Sequence, residues 1–391
     1  MSKEQKLVPK MRFKEFEDSQ PWQNKVLGDM VNFYSGLTYS PGNIVEEPGT
    51  LVIRSSNVKN GEIVSADNVY VDSAIANSEN VQIGDIIVVV RNGSRHLIGK
   101  NAQVKIPMEN TVIGAFMTGI RSKTSKFINA LLDTKNFQIE IYKDLGATIN
   151  QITTGNLRKM KFNFPNEDEA NRIGIYFEKI DNLIISQRKK INKVKNIKSA
   201  YLSEMFPKEG EKYPKKRFEG FKEPWKEYSL GEVGNLYQPQ TISRTSLQSS
   251  GIPVFGANGY IGYYSNANHE KDQITISARG ENAGNPSYVV GPVWITGNSM
   301  VVNVDENTNI NKKYLYSYLS SQRLEKYITG GAQPQLTRDV LNKVPIQVPS
   351  FLEQEKIGQF FKNLDNQISI EEKKLAKLEN LKQGYLNDMF V

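Results

Sequence analysis

The sequence predicts an α+β protein made by internal duplication. Two mixed α/β globules are each followed by a long helix, and the two helices pair as an antiparallel coiled coil about a pseudo-twofold axis. Three observations predict this. The chain repeats itself at a fixed offset, the repeated stretch carries an apolar period of alternating four and three, and the stretches between are short β-branched runs broken by Gly, Asn and Ser. A length of 391 residues is ample for two such cores.

The repeat comes first. Shifted by 184 positions, residues 146–206 fall on residues 330–390 without a gap, with 22 identities in 61 positions by direct count. Gln151/Gln335, Thr153/Thr337, Leu157/Leu341, Pro165/Pro349, Glu169/Glu353, Ile173/Ile357, Phe177/Phe361, Asp181/Asp365 and Tyr201/Tyr385 are among them. The fronts of the halves match too. "PKMRF" at 9–13 returns as "PKKRF" at 214–218, and Trp22 with Leu27, Gly28 and Asp29 returns as Trp225 with Leu230, Gly231 and Glu232. Ungapped register over this length excludes chance similarity of two helices. Residues 30–145 and 233–329 share little beyond type. The predicted divisions are a first globule at 1–164, a central helix at 165–207, a second globule at 208–348 and a C-terminal helix at 349–391.

The helices follow Pro165 and Pro349, a residue suited to a first turn. Acidic Glu167, Asp168 and Glu169 favour the positive N-terminal end. Apolar residues recur at Ile173, Phe177, Ile180, Ile184, Ile191 and Val194, and at Ile357, Phe361, Leu364, Ile368, Leu375 and Leu378. This is a coiled-coil seam over about 40 residues, or roughly 60 Å. The slot at Gln187 and Glu371 is polar in both copies, which either fixes register or marks an exposed bend. The next slot holds Lys198 or Lys382, so the stripe is expected to drift to Ile197 and Leu381. A stripe this long needs a cover, and the nearest is the other copy. The ends, Tyr201, Met205 and Phe206 with Tyr385, Met389 and Phe390, are aromatic and apolar beyond the seam. They are expected to dock another protein, the alternative being that they pack on their own globules.

Strands are expected in "DIIVVVRNGS" at 85–94, "DQITISARGENAGN" at 272–285 and "GPVWITGNSMVVNV" at 291–304, and a helix in residues 311–328. In both halves a strand runs into an arginine and a glycine-bearing polar loop. Arg91, Asn92, Arg95 and His96 lie in the first loop, and Arg279, Glu281 and Asn282 in the second, while "FGANGYIGYYSN" at 255–266 adds Asn258 and Tyr260. Arginine grips guanine with two donors, asparagine or glutamine does the same for adenine, and glycine lets a loop approach a groove. A net charge of +8 and a pI near 9.2 favour a polyanion. These nine residues are the candidate DNA contacts.

Chemistry is harder to find. No cysteine is present, which excludes disulfides and cysteine-ligated metals, and two histidines make a histidine metal centre unfavourable. No phosphate-binding Gly-rich loop with Lys-Ser/Thr occurs. "NPSY" at 285–288 only approximates the Pro-Pro-aromatic motif of amino methylation, and no strand with a Gly-x-Gly turn precedes it. Acidic residues near lysine, such as Glu371 and Glu372 beside Lys373, fall on the coiled coil. The expectation is binding without catalysis, with no catalytic residue and no metal. No apolar run spans a membrane and residues 1–16 do not form a signal peptide, so a cytoplasmic location is expected.

The "PKMRF…PW…LGD" and "PKKRF…PW…LGE" openings, the "QLTRDVLNKVPIQVPSFLEQEKI" run before the second helix and the doubled "YLxxMF" ends give the chain a family likeness. It resembles the DNA-specificity subunit of type I restriction–modification enzymes over essentially its whole length. The first copy departs with "NEDEANRI" where the second has "FLEQEKI". The resemblance implies two target recognition domains, each reading one half of a split, asymmetric sequence in double-stranded DNA, with paired helices setting the distance between halves. It implies two modification (methyltransferase) subunits that methylate adenine and restriction (endonuclease and translocase) subunits that cleave. S-adenosylmethionine, ATP and magnesium would belong to those partners, with no cofactor in this chain. The rival readings are a coiled-coil scaffold that reads no DNA, and a DNA methyltransferase fed by the "NPSY" stretch.

Overall fold

The computed structural model describes residues 7–145, 150–280, 282–328 and 335–391. Two compact units emerge, and they are not consecutive in sequence. The first is Met1–Gln187 with Lys374–Val391, and the second is Arg188–Lys373.

The run "DIIVVV" at 85–90 sets the layering of the first unit. Ile86, Val88 and Val90 face a core that holds Phe127 and Phe177, while Ile87 and Val89 face another that holds Tyr34, Ile53 and Met117. Side chains alternate across a strand, so a strand apolar at every position must be central and covered on both faces. Strand Ile86–Val89 accordingly lies between Met117–Arg121 and Asn101–Gln103, with Asn32–Ser35 outermost, all antiparallel. A second sheet, ordered Thr111–Ile113, Thr50–Ile53, Val69–Val71 and Ile44–Val45, has its first two strands parallel.

The second unit repeats this plan. Its central strand Gln273–Ser277 lies between Ser299–Asn303 and Pro286–Val289, with Asn235–Tyr237 outermost. Its smaller sheet is a hairpin, Ile252–Gly256 with Gly259–Tyr264, and Trp294–Ile295 joins it in parallel. The variable stretches therefore share strand order although they share little sequence. In the predicted helix at 311–328, helix Lys312–Ser321 is followed by a short 3-10 turn, Leu324–Tyr327. Pro286, Ser287 and Tyr288 of "NPSY" lie in strand Pro286–Val289, and the Tyr288 hydroxyl donates to Asp272 Oδ2 at 3.0 Å.

Each unit pairs two helical segments. The helices are Glu167–Glu204 and Phe351–Met389. In the first unit Tyr176 meets Tyr385 and Asp181 meets Lys382. In the second, Lys190 meets Glu371, Lys198 meets Asp365 and Tyr201 meets Phe360. In both, one number rises as the other falls, which is antiparallel pairing. Glycines allow each helix to lie against a short one. A β-carbon on Gly174 would stand 2.6 Å from the Phe127 nitrogen, and one on Gly358 would stand 2.8 Å from the Tyr314 nitrogen.

Two expectations about the helices are corrected. The stripe does not drift to Ile197 and Leu381, which are 38% and 46% exposed. Lys198 and Lys382 keep the seam slot because carboxylates await them: Asp365 stands 2.5 Å from Lys198, and Asp181 and Asp133 stand 2.6 and 2.5 Å from Lys382. Burial alone lowers the Lys382 pKa, but the two aspartates outweigh it and hold the ammonium above its usual range. The polar slot makes no bend, since both helices run through it. Glu371 is buried there and pairs with Lys190 at 2.8 Å.

The second correction concerns the aromatic ends. Met205, Phe206, Met389 and Phe390 are buried in the cores of their own units, and Tyr201 and Tyr385 are half-buried at the core edge. They fill those cores because each ring finds a ring cluster: Phe390 stacks on Phe127 at 5.2 Å, and Phe206 on Phe361 at 5.5 Å. Met205, Phe206, Met389 and Phe390 therefore offer no docking ridge.

Candidate nucleic-acid interface

Both arginine loops leave the central strand of their sheet at the same point. In the first unit the Val90 nitrogen donates to the Phe116 carbonyl (3.0 Å) and the Ile152 nitrogen to the Val90 carbonyl (2.9 Å). Arg91 then forms an isolated antiparallel bridge with Gln151. In the second unit the Ala278 nitrogen donates to the Asn298 carbonyl (3.1 Å), the Leu336 nitrogen to the Ala278 carbonyl (2.9 Å), and Arg279 bridges Gln335. Gln151 and Gln335 are identical positions of the repeat. The two arginines are thus equivalent, although the sequence around them is not.

The surroundings differ. The guanidinium of Arg91 lies over the Phe116 ring, 4.9 Å from its centroid, and that ring is 53% exposed. Such stacking holds a flexible cation in one direction. Asn92 shapes its own loop: its Nδ2 donates to Ser55 Oγ (2.9 Å) and its Oδ1 accepts from the Ser94 nitrogen (2.9 Å). Arg95 donates to the Leu145 carbonyl at 3.4 Å, and Arg95 and His96 are exposed on the 3-10 turn Arg95–Leu97. In the second unit Asn282 Nδ2 donates to Asn258 Oδ1 at 3.0 Å, joining two predicted readers. Tyr260 is exposed at the tip of the hairpin, its ring edge-on to Phe255 at 5.2 Å. Glu281 lies outside the described residues.

His269 does not belong to this surface. It is buried between Tyr237 (2.8 Å) and Asn268 (2.7 Å), and burial lowers its pKa. Among the described residues no cluster of three or more His, Cys, Asp or Glu could hold a metal, and no helix is long and apolar enough to cross a membrane.

A family model described as the type I restriction modification DNA specificity domain matches this chain twice, at residues 19–196 and 222–380. The chain belongs to that family. Each match spans one arginine loop and most of one long helix, so the protein is a type I DNA specificity subunit with two target recognition domains. A Mycoplasma genitalium protein described as a type I specificity subunit is 24% identical over 275 residues, covering 68% of this chain and 70% of its own. The EcoprrI specificity subunit of Escherichia coli is 28% identical over 145 residues, 36% of each chain. The fold matches a crystal structure of the M. genitalium S subunit with a TM-score of 0.70 at 19% identity, covering 98% of this chain and 99% of that one.

Sequence reasoning missed Phe116 and the glutamines as neighbours of the candidate DNA contacts. For Gln151 and Gln335 a signal existed, because the repeat keeps them identical. For Phe116 none did, since its contact with Arg91 depends on the sheet.

Proposed function

We propose that each unit reads one half of a split, asymmetric DNA target, and that the chain supplies recognition while partner subunits supply catalysis. The observation that carries this reading is the arginine at the same strand end in two units whose surrounding loops differ. Equivalent placement suits one job done twice, and differing loops suit different base sequences. Candidate base contacts are Arg91, Arg95 and His96 in the first unit, and Arg279, Asn258, Asn282 and Tyr260 in the second. Asn92 supports its loop. Exchanging residues 1–150 for those of a relative is expected to change one half of the methylated motif and leave the other intact, as single-molecule sequencing of cellular DNA would report. Two unchanged halves would refute the reading.

The partners are two modification subunits, which hold S-adenosylmethionine, and restriction subunits, which use ATP. A docking surface for a partner bound twice should be the same on both helices. Asn182, Lys189, Lys193 and Asn196 recur as Asn366, Lys373, Lys377 and Asn380, and all eight are exposed. Their spacing of seven, four and three places them on one stripe, on the side opposite Ile184 and Ile191. Asn182 accepts from Lys105 Nζ at 2.9 Å, but the identity of the exposed pairs Lys193/Lys377 and Asn196/Asn380 supports docking of an acidic surface of each modification subunit. The paired changes Lys193→Glu and Lys377→Glu are expected to abolish co-purification of these subunits without altering the unfolding temperature. Unaltered co-purification would place docking elsewhere.

A further inference from the structure

The two arginine outlets share a backbone but not a neighbour. Strand Ile86–Val89 pairs with Met117–Arg121 so that Val89 faces Met117, and strand Gln273–Ser277 pairs with Ser299–Asn303 so that Ser277 faces Ser299. One residue further on, the nitrogens of Val90 and Ala278 donate to the carbonyls of Phe116 and Asn298 (3.0 and 3.1 Å). Phe116 and Asn298 therefore hold equivalent places, each one step from an exposed arginine. Both lie in the stretches where the halves diverge, so only the strand register pairs them.

Phe116 is held from several sides. Its carbonyl accepts from the Arg91 nitrogen as well (3.2 Å), the Ala115 nitrogen before it donates to the Leu37 carbonyl (2.9 Å), and the Met117 nitrogen after it donates to the Gly114 carbonyl (2.9 Å). This fixed backbone presents a large ring to water. The ring supports the Arg91 guanidinium and is still 53% exposed. Holding the cation accounts for one face of the ring and not for the rest. Asn298 is also exposed, and its amide offers hydrogen bonds where Phe116 offers only carbon. The arginine is kept while the residue beside it changes chemical class.

We propose that the place held by Phe116 and Asn298 is a specificity-determining position, and that Phe116 selects a thymine, through its 5-methyl group, in the base pair beside the one that Arg91 grips. The inference rests on the DNA-reading function proposed above. Thymine is the one base that shows a methyl group in the major groove, and a phenyl ring meets it by apolar contact. Arg91 suits guanine with two donors, and its stacking on Phe116 sets the two side chains against neighbouring bases. Asn298 cannot make the methyl contact. This is therefore a place at which the two halves of the target are told apart, not one that they share.

The test selects random duplexes with the full chain, purified with the subunits that accompany it, and sequences the bound pool. A pool without any motif would overturn the DNA-reading function itself, and this inference with it. Given a two-part motif, Phe116→Ala is expected to relax one thymine in one half and leave the other half unchanged. Asn298→Phe is expected to install a thymine preference in that other half. Each thymine of the half altered by Phe116→Ala is then replaced by uracil, which lacks only the methyl group. The unaltered protein should lose roughly fourfold in affinity at one of them, the effect of one methyl group leaving an apolar contact. Phe116→Ala should show no loss at that position. A ring that serves only to hold Arg91 gives another pattern: Phe116→Ala relaxes a guanine, and uracil costs nothing anywhere. That pattern, an unchanged motif, or no gain of thymine with Asn298→Phe would overturn the inference and leave the DNA-reading function standing. The uracil measurement on the unaltered protein needs no variant, so it decides the methyl contact even should a substitution disturb the fold.

Discussion

Replacing Arg12 with alanine is expected to destabilise the first unit by about 3–5 kcal/mol, the usual effect of breaking a buried ion pair from one side. The Arg12 side chain is 5% exposed and Glu169 is fully buried. Two parallel bonds join them, Nε to Oε1 at 2.7 Å and Nη2 to Oε2 at 2.6 Å, while Nη1 donates to the Ser19 carbonyl at 2.9 Å. The Trp22 indole donates to the same carboxylate at 3.2 Å. Alanine would leave a charged carboxylate in the core held by the Trp22 indole but by no cation, and desolvation would no longer be offset. Lysine would keep the charge but lose the fork, so Arg12→Lys should recover only part of the stability. Arg217 and Glu353 repeat the two-bond ion pair, both bonds at 2.7 Å, without the indole bond, so Arg217→Ala should destabilise the second unit similarly. Because the chain has two units, hydrogen exchange resolved by segment is the measurement to use. Arg12→Ala should raise exchange across the first unit. Protection within 1 kcal/mol of the unaltered protein would show that the pair adds little.

This pair explains why "PKMRF" and "PKKRF" recur, and it shows what a sequence can and cannot display. The duplication, the long helices and the apolar strands are local or periodic, so they were legible. The role of Glu169 was not. In sequence it reads as an acidic residue suiting a helix start, whereas its partner lies 157 residues away. Lys198 and Lys382 failed for the same reason: a lysine in an apolar seam looks like an interruption until Asp365, Asp181 and Asp133 come alongside. Equivalence of the two sheets was hidden because strand order is set by packing, which many apolar sequences satisfy. For the candidate site, residue type and a strand ending in glycine-bearing loops suggest the arginines. Their equivalence required the bridges to Gln151 and Gln335. The aromatic ends were misread because apolar residues past a helical seam look the same in sequence whether they face a partner or their own core.

That last ambiguity yields the other large effect. Phe390→Ala and Phe206→Ala are each expected to cost about 3–5 kcal/mol, as truncation of a large buried aromatic does. Phe390 is stacked on Phe127 and lies 5.9 Å from Trp22 and 5.8 Å from Phe177. Phe206 is stacked on Phe361, with Tyr318 at 5.7 Å and Trp225 at 6.2 Å. Ring contacts of this kind add to the burial term, and a cavity at such a centre cannot collapse without moving several rings. For units of about 200 residues this corresponds to a fall in unfolding temperature of roughly 10 °C. Phe390→Leu should lose much less, since it keeps most of the volume. A docking role predicts the reverse pattern: unchanged unfolding temperature with lost partner binding in Phe390→Ala. Calorimetry beside co-purification separates the two, because a core ring governs the fold first and assembly only through it.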